Sequence, residues 1–292
     1  MTDHPREIAP PVRARTDDAR QPGSAGRARP RLELRPDDVH LWCAYHEDIR
    51  DPDLETAYLR LLSPPERTRQ RRFHFDRDRH RFLVTRAMVR TVLSRYASID
   101  PEDWEFATNP HGRPRIGNAD ADADCAGLTF NVSHTDGLIV LAVARAMRLG
   151  VDVESVSERT GILDIAAGSF APGEVADLQA LPAALRQLRF FEYWTLKESY
   201  IKARGEGLSI PLDQFGFSLP GERGIVLSTD PRQADTASTW RFQQFRLSPV
   251  HLIAVCSDIA PACTTIRAVV PLCSEQVLEL RPTRCSHWTA IP

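Results

Sequence analysis

Phe191-Glu192-Tyr193-Trp194-Thr195-Leu196-Lys197-Glu198-Ser199-Tyr200-Ile201-Lys202-Ala203-Arg204-Gly205 reads as the end of a long helix. The helix is expected to run from about Ala184 to Ala203, with Gly205 placed to cap it. Trp194, Glu198 and Lys202 follow at intervals of four, so one stripe carries a ring, a carboxylate and an ammonium. On an ordinary surface such a Glu–Lys pair contributes only about 0.3–0.5 kcal/mol. Lysine usage argues for more. Among 37 basic residues only Lys197 and Lys202 are lysines, and all the others are arginines. Where arginine serves for bare positive charge, these two positions need an ammonium: compact, rotatable and able to release a proton.

Upstream lies a dense β region. Leu128-Thr129-Phe130-Asn131-Val132-Ser133 alternates, Thr135-Asp136-Gly137 turns, and Leu138 to Ala144 is expected to be a buried strand. Leu149-Gly150-Val151-Asp152-Val153-Glu154 is the next strand. Its spacing puts Asp152 and Glu154 on one face and turns Val151 and Val153 into the core. Two carboxylates that close repel unless a cation lies between them. Hard oxygen ligands suit Mg²⁺ or Mn²⁺ rather than zinc. Taken alone, a D-x-E is more often the solvated face of an edge strand. Ser133 and His134 point to opposite faces of their strand and so form no nucleophilic dyad. No G-x-S-x-G elbow accompanies them. They are better read as donors to an anion, the alternative for His134 being a structural histidine.

Towards the N-terminus, Asn109-Pro110-His111-Gly112-Arg113-Pro114 is a turn-rich loop, and 118–127 is another. Glu66 to Tyr96 reads as one helical run with nine arginines between Arg67 and Arg90. Those arginines suit a solvated face, a nucleic-acid face or the phosphates of a nucleotide-like cofactor. Asp53 to Leu62 is a short helix and Val39 to Tyr45 a strand. Residues 1–35 are rich in Pro, Arg and Ala without hydrophobic periodicity and are expected to be a disordered tail. After the long helix, Trp240 to Leu247 and Leu252 to Cys256 are strands, and beyond Pro261 no clear period is visible. A weak twofold echo remains: a long helix leading into strands occurs once before residue 145 and once after.

The chain has 292 residues and a formal charge of −2, which does not suggest bulk nucleic-acid binding. No apolar run approaches the roughly 18 residues of a membrane span, and the polar, Arg-rich start is not a secretory signal. The six cysteines form no C-x-x-C pair. They are expected to be reduced thiols of a soluble cytoplasmic enzyme.

Three blocks read together are specific: 130–137, 150–154 and 191–208. In order and approximate spacing they resemble the signature of the 4′-phosphopantetheinyl transferase superfamily. Arg71-Arg72-Phe73 through His80-Arg81, and Gly112-Arg113-Pro114, are similar to its larger type, which modifies peptide and polyketide synthases and is typified by surfactin-synthetase activators. The resemblance covers roughly residues 40–257. It implies an α+β fold of two similar halves related by a pseudo-twofold, each with a long helix on a small, mostly antiparallel sheet. The halves are expected at 36–145 and 146–260, with 261–292 as an extension. It also implies transfer of phosphopantetheine from coenzyme A to a serine of an acyl or peptidyl carrier protein, releasing 3′,5′-ADP. By the same resemblance Asp152, Glu154 and Glu198 hold Mg²⁺, with Mn²⁺ as a substitute. Lys202 meets the pyrophosphate or aids proton transfer. Ser133 and His134 bind phosphates, His134 the 3′-phosphate, while Arg69, His80, Arg81 and the Gly112-Arg113-Pro114 loop hold the adenosine end. Asp152, Glu198 and Lys202 would carry the chemistry, with either Glu198 or a water as base. A monomer without nucleic-acid or membrane partners is expected. A metal-dependent phosphohydrolase and a non-catalytic coenzyme A-binding module are the rival readings.

Overall fold

Strands that are apolar on both faces must be covered on both, and this requirement builds the molecule. The computed structural model describes residues 30–118, 123–207, 210–230 and 235–286, and the elements below belong to one unit beginning at Arg31. The first half holds β1 (Asp38–Ala44), α1 (Pro52–Leu61), α2 (Pro64–Arg71), α3 (Asp76–Leu93), the short hairpin β2 (Phe106–Thr108) and β3 (Pro114–Ile116), then β4 (Leu128–Thr135) and β5 (Leu138–Arg145). The second holds β6 (Leu149–Ser155), α4 (Ile162–Ser169), α5 (Pro172–Ala180), α6 (Ala183–Arg204), the hairpin β7 (Phe215–Ser218) and β8 (Val226–Thr229), β9 (Arg241–Arg246) and β10 (His251–Ser257). Last come β11 (Cys263–Val270), β12 (Ser274–Leu278) and β13 (Arg284–Cys285).

One sheet has the order β12-β11-β1-β5-β4 and the other β13-β9-β10-β6. Every pairing in them is antiparallel except β1 with β11. Alternation sorts their side chains into three cores. Trp42, Ile139, Leu141 and Val143 turn towards Val84, Ala87 and Met88 of α3. Leu41, Val140 and Ala142, on the opposite face, meet Val151, Val153, Ile253 and Val255 of the other sheet. Leu252, Ala254 and Cys256 then cover Phe191, Leu196, Tyr200 and Ala203 of α6. The result is helix, sheet, sheet, helix, and each fully buried Val, Leu or Ile contributes about 1.5–3 kcal/mol.

The twofold echo is chemical as well as topological. Glu66, in the first turn of α2, accepts from the Ser63 amide (2.9 Å) and pairs with Arg86 and Arg90 of α3. Glu174, in the first turn of α5, accepts from the Ala171 amide (2.8 Å) and pairs with Lys197 of α6. Arg90 then donates to the carbonyls of Pro101 and Trp104, and Lys197 to those of Leu212 and Phe215. In both halves a buried cation ties the long helix to the preceding helix and the following loop.

Three local expectations change. The single helical run from Glu66 is two helices, α2 and α3, because Phe75 is extended (φ −91°, ψ 138°) where α3 begins and Phe73 folds back onto Phe82. The segment after 261 joins both sheets as β11, β12 and β13. Its polar and Arg residues on half-exposed strands conceal the period. Of the expected tail, 1–29 lie outside the described residues, but Leu34 is buried in the first core with Leu32 packed against it, and the Leu32 amide bonds the Arg95 carbonyl.

Candidate active site

The site forms where the edge strands β4 and β6 lie beside the last turns of α6. Gly150 lets β6 and α6 approach. A Cβ there would stand 2.1 Å from the Ser199 carbonyl oxygen and 2.4 Å from the Ala203 amide nitrogen. With Val151 and Val153 in the inter-sheet core, Asp152 and Glu154 face the helix, as strand alternation requires.

Ser133, Asp152 and Lys202 are brought into direct contact. Ser133 Oγ donates to Asp152 Oδ1 (2.9 Å), and Lys202 Nζ donates to both Ser133 Oγ (2.8 Å) and Asp152 Oδ1 (2.6 Å). Asp152 is only 4 % exposed, and its Oδ2 is buried with no hydrogen-bond partner. Glu154 is pushed up to about 7, first by burial and then by the Asp152 charge, against opposing effects of Arg159, Lys202 and a Trp194 hydrogen bond. Glu198 is raised for the same two leading reasons, with Lys202 opposing. The stripe of α6 thus matches β6: Trp194 reaches Glu154, while Glu198 and Lys202 act on Asp152.

Among the described residues no three His, Cys, Asp or Glu side chains are already gathered as a metal cage. The donor chemistry nevertheless fits a hard divalent cation. Asp152 Oδ2 is an orphaned buried oxygen, and burial followed by the Asp152 charge holds Glu154 and Glu198 towards their protonated forms. A cation among these oxygens would relieve both conditions.

His134 stands on the other face of β4 and opens to solvent on one side. Desolvation of its packed side, then the charges of Arg81 and Lys202, hold it below the ordinary imidazole value. Arg81 bonds Asp78 Oδ1 (2.8 Å) and also bears on His46, which burial first of all brings down to about 4. His80 is occupied: Nε2 meets the His46 carbonyl (2.8 Å) and Nδ1 meets Glu55 (3.0 Å). It therefore fixes the His46 turn rather than presenting a free ring. Arg69 is exposed and lies over the Phe82 ring, 5.7 Å from its centroid.

The Gly112-Arg113-Pro114 loop does something the sequence reading did not anticipate. Gly112 adopts φ +83° at the hairpin tip and Pro114 begins β3. The Arg113 guanidinium donates to the carbonyls of Lys202 (2.6 Å), Ala203 (2.9 Å) and Leu149 (2.7 Å). The Lys202 and Ala203 carbonyls at the negative end of α6 attract a cation, so this arginine from the first half steadies the turn that carries Lys202. Asn109 assists, donating to the Gly205 carbonyl (2.8 Å). Asn131 and Thr135 were also missed as site-building residues. Their signal was the polar alternation Asn131, Ser133, Thr135 opposite the apolar Phe130 and Val132.

Residues 51–146 match the sequence profile of the 4′-phosphopantetheinyl transferase N-terminal region, and 148–256 that of the 4′-phosphopantetheinyl transferase superfamily. The 4′-phosphopantetheinyl transferase HetI of Nostoc sp. is 32% identical over 212 residues, covering 72% of this chain and 84% of its own. The 4′-phosphopantetheinyl transferase Sfp of Bacillus subtilis is 31% identical over 200 residues, covering 68% and 84%. A phosphopantetheinyl transferase of Thraustochytrium sp. is 31% identical over 205 residues, covering 66% and 69%. The two profiles meet where β5 gives way to β6, and with the fold and these relatives they show that the chain belongs to the 4′-phosphopantetheinyl transferase superfamily and is a phosphopantetheinyl transferase.

Proposed function

We propose that this transferase works with Mg²⁺, or Mn²⁺ in its place, held by Asp152, Glu154 and Glu198, and moves phosphopantetheine from coenzyme A to a serine of an acyl or peptidyl carrier domain. The carrying observation is the Ser133–Asp152–Lys202 contact across the seam, with Asp152 Oδ2 left over for a cation. Bound there, the ion would supply charge neutralisation at the pyrophosphate.

The protein's own groups supply the rest. The Lys202 ammonium and the Ser133 hydroxyl give donors to phosphate oxygens where negative charge accumulates. His134, Arg81 and Arg69 are the donors and cations towards the adenosine phosphates, and Gly112 and Pro114 shape the loop through which Arg113 steadies α6. The carrier serine is a weak nucleophile. Its Oγ bonds the phosphorus that bears the pantetheine arm, the bridging phosphorus–oxygen bond breaks, and 3′,5′-ADP leaves. The serine proton passes to Glu198 or to a water beside it. Such phosphoryl transfer depends on positioning and electrostatic stabilisation.

The reading is a cytoplasmic monomer without nucleic-acid or membrane partners. The six cysteines are thiols rather than disulfides, which suits a reducing compartment, and no described helix is long and apolar enough to cross a membrane. The test is mass spectrometry of an apo carrier domain incubated with coenzyme A, with and without Mg²⁺. A gain of one phosphopantetheine that requires the metal and is lost in Asp152→Ala or Glu154→Ala is the expected result. Cleavage of coenzyme A without any carrier would show a phosphohydrolase instead, and binding without either reaction a non-catalytic module.

A further inference from the structure

β4 and β6 are the edges of two different sheets, and no backbone ladder joins them among the described pairings. Side chains bridge the gap. Asn131 Oδ1 accepts from the Val151 amide (2.8 Å), and Thr135 Oγ1 accepts from the Ser155 amide (3.1 Å). Between these two contacts lies that of Ser133 with Asp152. Asn131, Ser133 and Thr135 alternate along β4 and share one face. Val151 and Ser155, four apart on β6, direct their amides to the same edge. These two amides bracket Asp152 and Glu154.

We infer that Asn131 and Thr135 are positioning residues, whose side chains fix the register and separation at which β6 presents Asp152 and Glu154. The first half thereby sets the geometry of carboxylates carried by the second. A one-residue slip of β6 would turn Val151 and Val153 towards α6 and take both carboxylates out of the site. Asn131 is buried, so an amide or carbonyl left unsatisfied at this seam has little access to water. Neither residue touches a reacting atom; both act through the β6 backbone.

The inference rests on the reading of Asp152 and Glu154 as metal ligands, so the test measures metal binding directly. Full-length protein without coenzyme A is titrated with Mn²⁺ and the free ion is followed by electron paramagnetic resonance. Thr135→Val keeps the shape and removes the acceptor, whereas Thr135→Ser keeps the hydroxyl. Loss of an outer contact of this kind is expected to weaken Mn²⁺ about tenfold in Thr135→Val, with Thr135→Ser close to the parent. Hydrogen exchange at the Ser155 amide should quicken in the valine variant alone, while its thermal midpoint stays near the parent's. A merely structural threonine would move the midpoint and leave the affinity unchanged. Should valine not be accommodated, Thr135→Ala makes the same comparison. Parent-like Mn²⁺ affinity in the acceptor-less variant, beside lost binding in Asp152→Asn, overturns the positioning role. Parent-like binding in Asp152→Asn removes the metal assignment and this inference with it.

Discussion

Lys197 and Lys202 share a helix and have opposite surroundings. Lys197 is 1 % exposed, and its ammonium meets Glu174 Oε2 (2.8 Å) and the carbonyls of Leu212 (2.8 Å) and Phe215 (2.7 Å). Three donors meet three acceptors over the Phe215 ring, a cage matched to the three N–H groups of an ammonium. Lys202 is 27 % exposed and spans Ser133 and Asp152 at the site. The two lysines therefore fail differently. Lys197→Met leaves Glu174 buried without its cation, which costs about 3–5 kcal/mol and shows as a lower denaturation midpoint. Lys202→Arg keeps the charge and leaves the midpoint nearly unchanged. Its broader planar head displaces Asp152 or the phosphate, and such misplacement costs on the order of 10²-fold in turnover. Parent-like turnover in Lys202→Arg would show that the site asks only for positive charge.

The pairing of β6 with α6 turns on Gly150, where the helix backbone occupies the space of a side chain. Gly150→Ala must push α6 off the strand. The expected loss is about 1–3 kcal/mol or more, together with turnover, because Glu198 and Lys202 move away from Asp152. Urea denaturation beside a carrier-modification assay checks this. A stable and active Gly150→Ala would mean that β6 and α6 have slack between them. Much of this pair was legible beforehand. The length of α6, its Gly205 cap (φ +73°) and the shared face of Asp152 and Glu154 all follow from local periodicity. A glycine inside a strand pattern already hints at a close approach. The Ser133–Asp152 contact was not legible, because β4 and β6 meet through side chains rather than through a hairpin or ladder. Arg113 was hidden for a related reason: an arginine beside a turn announces charge but not which carbonyls it will reach. The break between α2 and α3 was masked by arginines that favour helix on both sides of it.

Two halves that repeat the same helix-to-acid device still need something to close them together, and the last strands do it. β11 runs parallel to β1 and carries β12 outside it, while β13 adds to β9 in the other sheet. Between the sheets Thr264 Oγ1 donates to Gln243 Oε1 (2.6 Å). Tyr58 of α1 donates to the Pro271 carbonyl (2.8 Å), Arg95 pairs with Glu275, and Arg284 reaches Glu192 of α6 (2.9 Å). One segment thus grips the long-helix layers of both halves. Removing residues 262–292 takes out Ile266 and Val269, worth about 1.5–3 kcal/mol each on burial. It also bares the edge of β1, whose free amides and carbonyls invite association with another chain. The truncated protein should unfold at lower urea than the parent, and tryptophan fluorescence should report the loss in both halves, from Trp42 and Trp104 in one and Trp194 and Trp240 in the other. Light scattering should rise with concentration. An unchanged midpoint with parent-like carrier modification would mean that the two halves hold together through β4, β6 and the inter-sheet core alone.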